Sequence, residues 1–182
     1  MAKQYDHINQ RIQKFIAAQK IFFVATATDQ SRINLSPKGM DSFRVIDKNK
    51  VLWLNLTGSG NETAAHISTD GRITIMFCAF EGAPMILRLY GKGKVINPND
   101  EQWSSVVELF PKQAGTRQII EIDIEMVQTS CGMSIPYFDF KEERLQLDDW
   151  AQNKGEEGIK EYWKEKNELS IDGIPTKIQE GY

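Results

Sequence analysis

Histidine and cysteine are almost missing from this chain: His7 and His66, Cys78 and Cys131 are its whole supply in 182 residues. Two cysteines cannot build a disulfide framework. With no C-x-x-C pair and two scattered histidines, no metal-ligand set is expected. His66, in the helix-like stretch NETAAHIS, reads as a surface or packing residue. No serine–histidine–acid triad can be assembled, and no pair of carboxylates stands apart from the solvated ones, so catalytic residues stay unassigned. Long apolar runs are also lacking. None approaches the roughly 20 residues that span a bilayer, and the opening MAKQYDHINQ does not resemble a secretory signal. A cytoplasmic protein with no membrane partner is expected. Excess positive charge is the last absence. The net charge of -3 argues against a nucleic-acid partner, whose phosphates require a basic face.

What remains is ordinary globular material, 41% hydrophobic and 26% charged, in one domain's length of chain without repeats or low-complexity linkers. Residues 6–20 carry Ile8, Ile12, Phe15 and Ile16 at helical spacing, with Asp6 as the expected N-cap and Lys20 at the C-terminal end. The period then shifts to that of strands: 21–29 and 32–39 as a hairpin, 43–47, 51–56, 72–80 and 85–96. Gly91 and Gly93 mark a bulge or bend in the last of these. A short helix over 62–68 ends at Asp70-Gly71, and another over 100–110 is capped by Asn99 or Asp100. Residues 117–130 alternate Ile120, Ile122, Ile124 and Met126 against Glu121, Asp123 and Glu125, a strand with one wet side. The charge-rich tail holds a helix over 156–169 that packs back through Ile159, Tyr162, Trp163 and Leu169. Successive strands without long intervening helices predict antiparallel pairing in a mostly β, barrel-like fold with flanking helices.

Four stretches carry chemistry. N-L-T-G-S-G-N-E-T, residues 55–63, leaves a strand and enters a helix. Backbone N–H groups, the helix dipole and the side chains of Thr57, Ser59, Asn61 and Thr63 suit a phosphate monoester there, and Gly58 permits close approach. The same residues equally describe a plain strand-to-helix turn capped by Asn61. In S-P-K-G, Ser36 and Lys38 end a strand. Lys38 is a point charge for a phosphate or flavin ring, although taken alone it reads better as a solvated turn lysine. Arg88 sits inside the apolar strand MILRLYG and faces solvent, a ligand or a subunit cleft. S-C-G-M-S-I-P, followed by Tyr137, Phe138 and Phe140, supplies small residues and then aromatics, either walling a flat cofactor or forming a surface loop. Cys78, in ITIMFCAF, reads as a core filler, whereas Cys131 precedes Gly132 in a loop. Trp150 and Trp163 are candidates for a lid by size and position.

The runs RINLSPKGMDSFRVID, VLWLNLTGSGNETAAHI and RITIMFCAFEGAPMILRLYGKGKV resemble the pyridoxamine 5'-phosphate oxidase-like FMN-binding split-barrel proteins over roughly residues 8–130, and SCGMSIPYFDF resembles one branch of them. The resemblance implies a six-stranded antiparallel split β-barrel over 1–140, with a helical extension over 141–182 packed on the same domain. It implies a homodimer with FMN in two interface clefts, the phosphate held by Thr57, Gly58, Ser59, Asn61 and Thr63 with help from Ser36 and Lys38. Some relatives hold haem or a deazaflavin instead. The chain departs from the oxidase itself in two places. Glu62 and Thr63 stand where the oxidase has an arginine–lysine pair, and the ending IPTKIQEGY lacks an arginine-rich, substrate-phosphate-binding segment. Pyridoxal phosphate synthesis is therefore not the expected activity. A flavin-dependent oxidoreductase acting on a small molecule leads. A non-catalytic flavin or haem carrier follows, and then a cofactor-free interaction module.

Overall fold

The structure is a computed structural model describing residues 2–181. One antiparallel sheet, curled into a half-barrel, organises the chain. In chain order the elements are β1 (Lys3–Tyr5), α1 (Gln10–Ala18), β2 (Phe22–Thr26), β3 (Asn34–Lys38), β4 (Phe43–Val45), β5 (Lys50–Leu56), α2 (Glu62–Thr69), β6 (Arg72–Cys78), β7 (Ile86–Ile96), α3 (Trp103–Val107), β8 (Thr116–Ser130) and α4 (Gln146–Lys166), with a 3-10 turn over Ile178–Gly181. Strands run β3-β2-β6-β7-β8-β5-β4 across the sheet, and β1 pairs with the far end of β8. The six strands of the expected barrel are thus β2, β3, β5, β6, β7 and β8, extended by two three-residue strands, β1 and β4.

The concave face buries Val24, Val51, Trp53, Ile73, Ile75, Phe77, Leu87, Leu89, Ile120 and Ile122, closed by Ile12 and Ile16 of α1 and Ile67 of α2. Strand β5 is buried on both sides. Val51 and Trp53 point into that core, while Leu52 and Leu54 meet Ile96, Phe110, Ile119 and helix α3 in a second one. Strand β8 is covered twice as well where it passes β5: Arg117, Gln118, Ile119 and Ile120 are all buried, and the wet side begins only at Glu121. Further along, Tyr90 faces Met126 but Gly91 faces Ile124, so Glu125 is an extra residue on β8. This bulge reverses the alternation. Met126 leaves the isoleucine face and Val127 takes its place in the core. Gly91 makes the crossing possible, because a Cβ there would lie 2.1 Å from the Asp123 carbonyl oxygen.

Several local expectations change. Helix α1 starts later and is capped by Asn9, whose Oδ1 accepts from Ile12 N at 3.0 Å, while Asp6 turns to His7. Helix α3 is only Trp103–Val107, and Asp100 spends its carboxylate on Asn97 N. Helix α4 begins at Gln146, ten residues before the expected start at 156, and kinks at Gly155, whose φ of 66° no helix contains. Its Ile159 and Trp163 pack with Ala151 and Ile178, flanked by Tyr162, but Leu169 lies past the helix end and is exposed. Among the described residues, no helix is long and apolar enough to cross a membrane.

Candidate functional site

Alternation along β3 puts Asn34, Ser36 and Lys38 on its inner face, with Leu35 and Pro37 outward. Asn34 donates to Thr63 Oγ1 of α2 at 3.2 Å, and Lys38 Nζ stands 5.0 Å from the centre of the Trp53 ring. Ser36 lies between them on the same face. Lys38 is therefore no solvated turn lysine. It is packed into the wall of a cleft of about 1200 Å³ that Trp53, Leu56, Thr57 and Gly58 also line, together with the charge-rich stretch from Phe138 to Arg144 and with Gln146 and Leu147. Burial, and then the nearby positive charge of Arg117, push the Lys38 ammonium down to about 8.

The 57–63 loop is more tightly tied than its sequence suggests. Thr57 donates both its N–H and its Oγ1 to Gly115 O, at 2.8 and 2.7 Å, and accepts from Trp163 Nε1 of α4 at 2.9 Å. Asn61 sits at the head of α2 without capping it. Its side chain instead accepts from Asn55 Nδ2 and donates to Gln118 Oε1. The side chains of Thr57, Asn61 and Thr63 are thus already bonded within the protein, whereas Ser59 is exposed and Gly58 faces the cleft. The Glu62 carboxylate accepts Ile171 N at 3.1 Å and lies against Gly60 of the loop, where a Cβ would stand 3.2 Å from its Oε1.

Behind the loop lies a residue that sequence reading missed. Arg117, 3% exposed, donates to Gly60 O at 3.1 Å, Asn167 Oδ1 at 2.6 Å and Asn55 Oδ1 at 3.1 Å. Its Nε has no partner, and among the described residues no carboxylate lies within ion-pair distance of either Arg117 or Lys38. Burial lowers the guanidinium to about 9, which leaves it charged at neutral pH. The available signal was the doublet Ile119-Ile120: two successive apolar residues in a strand imply burial of both faces, and hence of the polar residues just before them.

The remaining candidates lie elsewhere. Arg88 is on the convex face of β7, donating to Ser130 Oγ at 3.2 Å. Cys78 is buried, and that burial pushes its thiol up; Cys131 is exposed at a separate hollow near β1. His66 is a packing residue, its Nδ1 3.0 Å from Thr26 Oγ1. Phe138 and Phe140 reach the cleft rim, Phe138 edge-on to Phe80, while Tyr137 does not line it. Trp163 packs over the loop rather than over the cleft mouth, and Trp150 stacks edge-on against Tyr162.

The curled antiparallel sheet with its flanking helices is that of the split-barrel class of proteins. The family described as pyridoxamine 5'-phosphate oxidase matches residues 8–131, and the chain belongs to it. The pyridoxamine 5'-phosphate oxidase family protein ustO of Aspergillus flavus is 35% identical over 191 residues, covering 94% of this chain and 76% of that protein. Two solved structures share the fold at low identity. HupZ of Group A Streptococcus is 20% identical with a TM-score of 0.55, covering 68% of this chain and 99% of its own. A FAD-binding protein of Mesorhizobium loti is 10% identical with a TM-score of 0.50, covering 71% and 97%.

Proposed function

We propose that this chain binds FMN in the cleft and acts as a flavin-dependent oxidoreductase on a small molecule. The observation that carries the reading is the pair of cations near the glycine-containing loop, half-buried Lys38 in the cleft wall and buried Arg117 behind it. Neither has a carboxylate within ion-pair distance among the described residues, although Glu81, Asp139, Glu142 and Glu143 line other parts of the cleft. Burying charge without a counter-charge is costly, and a phosphate supplies the counter-charge. The donors that line the cleft are the Lys38 ammonium and the backbone at Gly58; the exposed hydroxyl of Ser59 neighbours Gly58 in the chain, and Arg117 adds charge from behind. Ser36 lies within the same inner face. Thr57, Asn61 and Thr63 are bonded within the protein and shape the loop from inside: Thr57 donates its hydroxyl to Gly115 O, Asn61 donates to Gln118 Oε1, and Thr63 accepts from Asn34 Nδ2.

A bound flavin would supply the redox chemistry, and the protein the binding, orientation and shielding from water. Trp53 and Leu56 give the cleft an apolar wall, and Phe138 and Phe140 its rim. Its volume exceeds the roughly 300–1000 Å³ usual for one ligand, which leaves space for a second small molecule. Neither histidine lines the cleft, so an axially ligated haem has no histidine there.

The homodimer belongs to the same reading. Register places Leu35 and Pro37 of β3, Phe23 of β2, Met76 of β6 and Ile86 and Arg88 of β7 on one convex face, with Leu35 63% and Ile33 78% exposed. A second copy would cover this apolar face.

The test is the visible spectrum of purified protein before and after saturation with FMN and desalting. Retained flavin bands and turnover with NADH or NADPH are expected. Retained FMN without turnover would make the protein a carrier. Loss of all chromophore on desalting would remove the flavin reading.

A further inference from the structure

Arg117 belongs to a buried polar network in which every other side chain is a neutral amide. Asn55 and Asn167 accept from its two terminal nitrogens. Asn55 donates to Asn61, Asn61 to Gln118, and Gln118 to Asn97. Asn55 is 1% exposed and Asn167 0%. The chain has 25 acidic residues, yet none enters this network, although a carboxylate in place of either asparagine would bond the guanidinium more strongly. An asparagine accepts the same hydrogen bond without cancelling the charge.

We propose that Asn55 and Asn167 are selectivity residues. They position Arg117 behind the 57–61 loop without neutralising it, and so reserve its charge for a flavin that carries a phosphate over one that does not. This rests on the flavin-binding reading. Asn167 has a second part in the arrangement. It donates through Nδ2 to Gly58 O at 3.1 Å, and its own carbonyl accepts Thr176 Oγ1 at 2.6 Å. The residue that leaves Arg117 charged also fastens the C-terminal tail to the loop.

The experiment is a fluorescence titration of cofactor-free protein with FMN and with riboflavin, which differ by the phosphate. Wild-type protein should prefer FMN by about tenfold or more. Asn167→Asp and Asn55→Asp each forfeit one amide donor bond and gain an ion pair with Arg117. Both should bind riboflavin as wild type does, while the preference for FMN falls by about tenfold. Asn167→Ala forfeits the same donor bond and the acceptor of Arg117 without adding charge, and should lower the preference less than Asn167→Asp does. A folded aspartate variant with an unchanged preference overturns the proposal, as does wild-type protein that binds both flavins equally. Thermal melting shows which variants are folded, and either aspartate variant alone decides. Wild-type protein that binds neither flavin would instead remove the flavin reading itself, and this inference with it.

Discussion

Lys38 links the chemistry of the site to pH in two opposite ways. In the unfolded chain it titrates near 10.5, in the folded protein near 8. Between those values the unfolded chain binds more protons, so the stability of the cofactor-free protein rises with pH through that window. Arg117, whose guanidinium burial lowers to about 9, acts in the same direction above pH 9. Phosphate binding runs the other way, because Lys38 loses its charge above pH 8. Chemical denaturation should therefore show cofactor-free protein gaining stability from pH 8 to 10, while titration over the same range shows FMN affinity falling. Lys38→Met should lower FMN affinity by about ten- to a hundredfold, the worth of one charge-assisted hydrogen bond, and flatten both pH profiles. From its own residues Lys38 read as a solvated turn lysine, and only the family resemblance put it with Ser36 at a phosphate, because S-P-K-G does not reveal which face of β3 the sheet curls over. Arg117 was not legible, because its meaning depends on Asn167, fifty residues away and brought close only by α4.

At the level of elements, the β8 bulge and the α4 clasp each rest on one residue. Gly91→Ala drives a methyl into the Asp123 carbonyl, and should cost about 3 kcal/mol by urea denaturation. Gly158→Ala, inside α4 with only Lys154 Cβ at 3.6 Å, should instead stabilise by about 0.5–1 kcal/mol. Trp163→Phe keeps the ring among Ala151, Ile159 and Ile178 but loses the bond to Thr57. It should cost about 1 kcal/mol and quicken proteolysis of the tail. Strand positions were legible because β-branched runs between glycines and turn residues bound them closely. The bulge placed Met126 on the wrong face in the alternating pattern, since one inserted residue inverts all that follow. Helix α4 was cut short in the sequence reading because Gly155 interrupts its period without ending it.

For the molecule as a whole, the convex face of β2, β3, β6 and β7 is where a second copy is proposed to dock. Leu35→Glu together with Ile33→Glu puts two charges on that face and should convert a dimer into a monomer in light scattering, with melting changed little if each subunit folds alone. An unchanged mass would place the dimer contact elsewhere. The mostly β architecture was legible from strands that follow one another without long helices. The two added short strands and the reach of the tail back to the 57–61 loop were not, because each depends on contacts between distant segments.

Strand β8 is the one place where β1, β5 and β7 all attach, and this orders events during synthesis. As the chain leaves the ribosome, β6 and β7 can pair at once as a hairpin, but β5 must wait about sixty residues for its partner on the other side. Until Thr116–Ser130 emerges, the apolar flank of β5 has no strand to meet. Late closure of so distant a pair is slow and exposes a sticky edge, so recovery of soluble protein should depend more on growth temperature and chaperone supply than the stability of the finished fold would suggest.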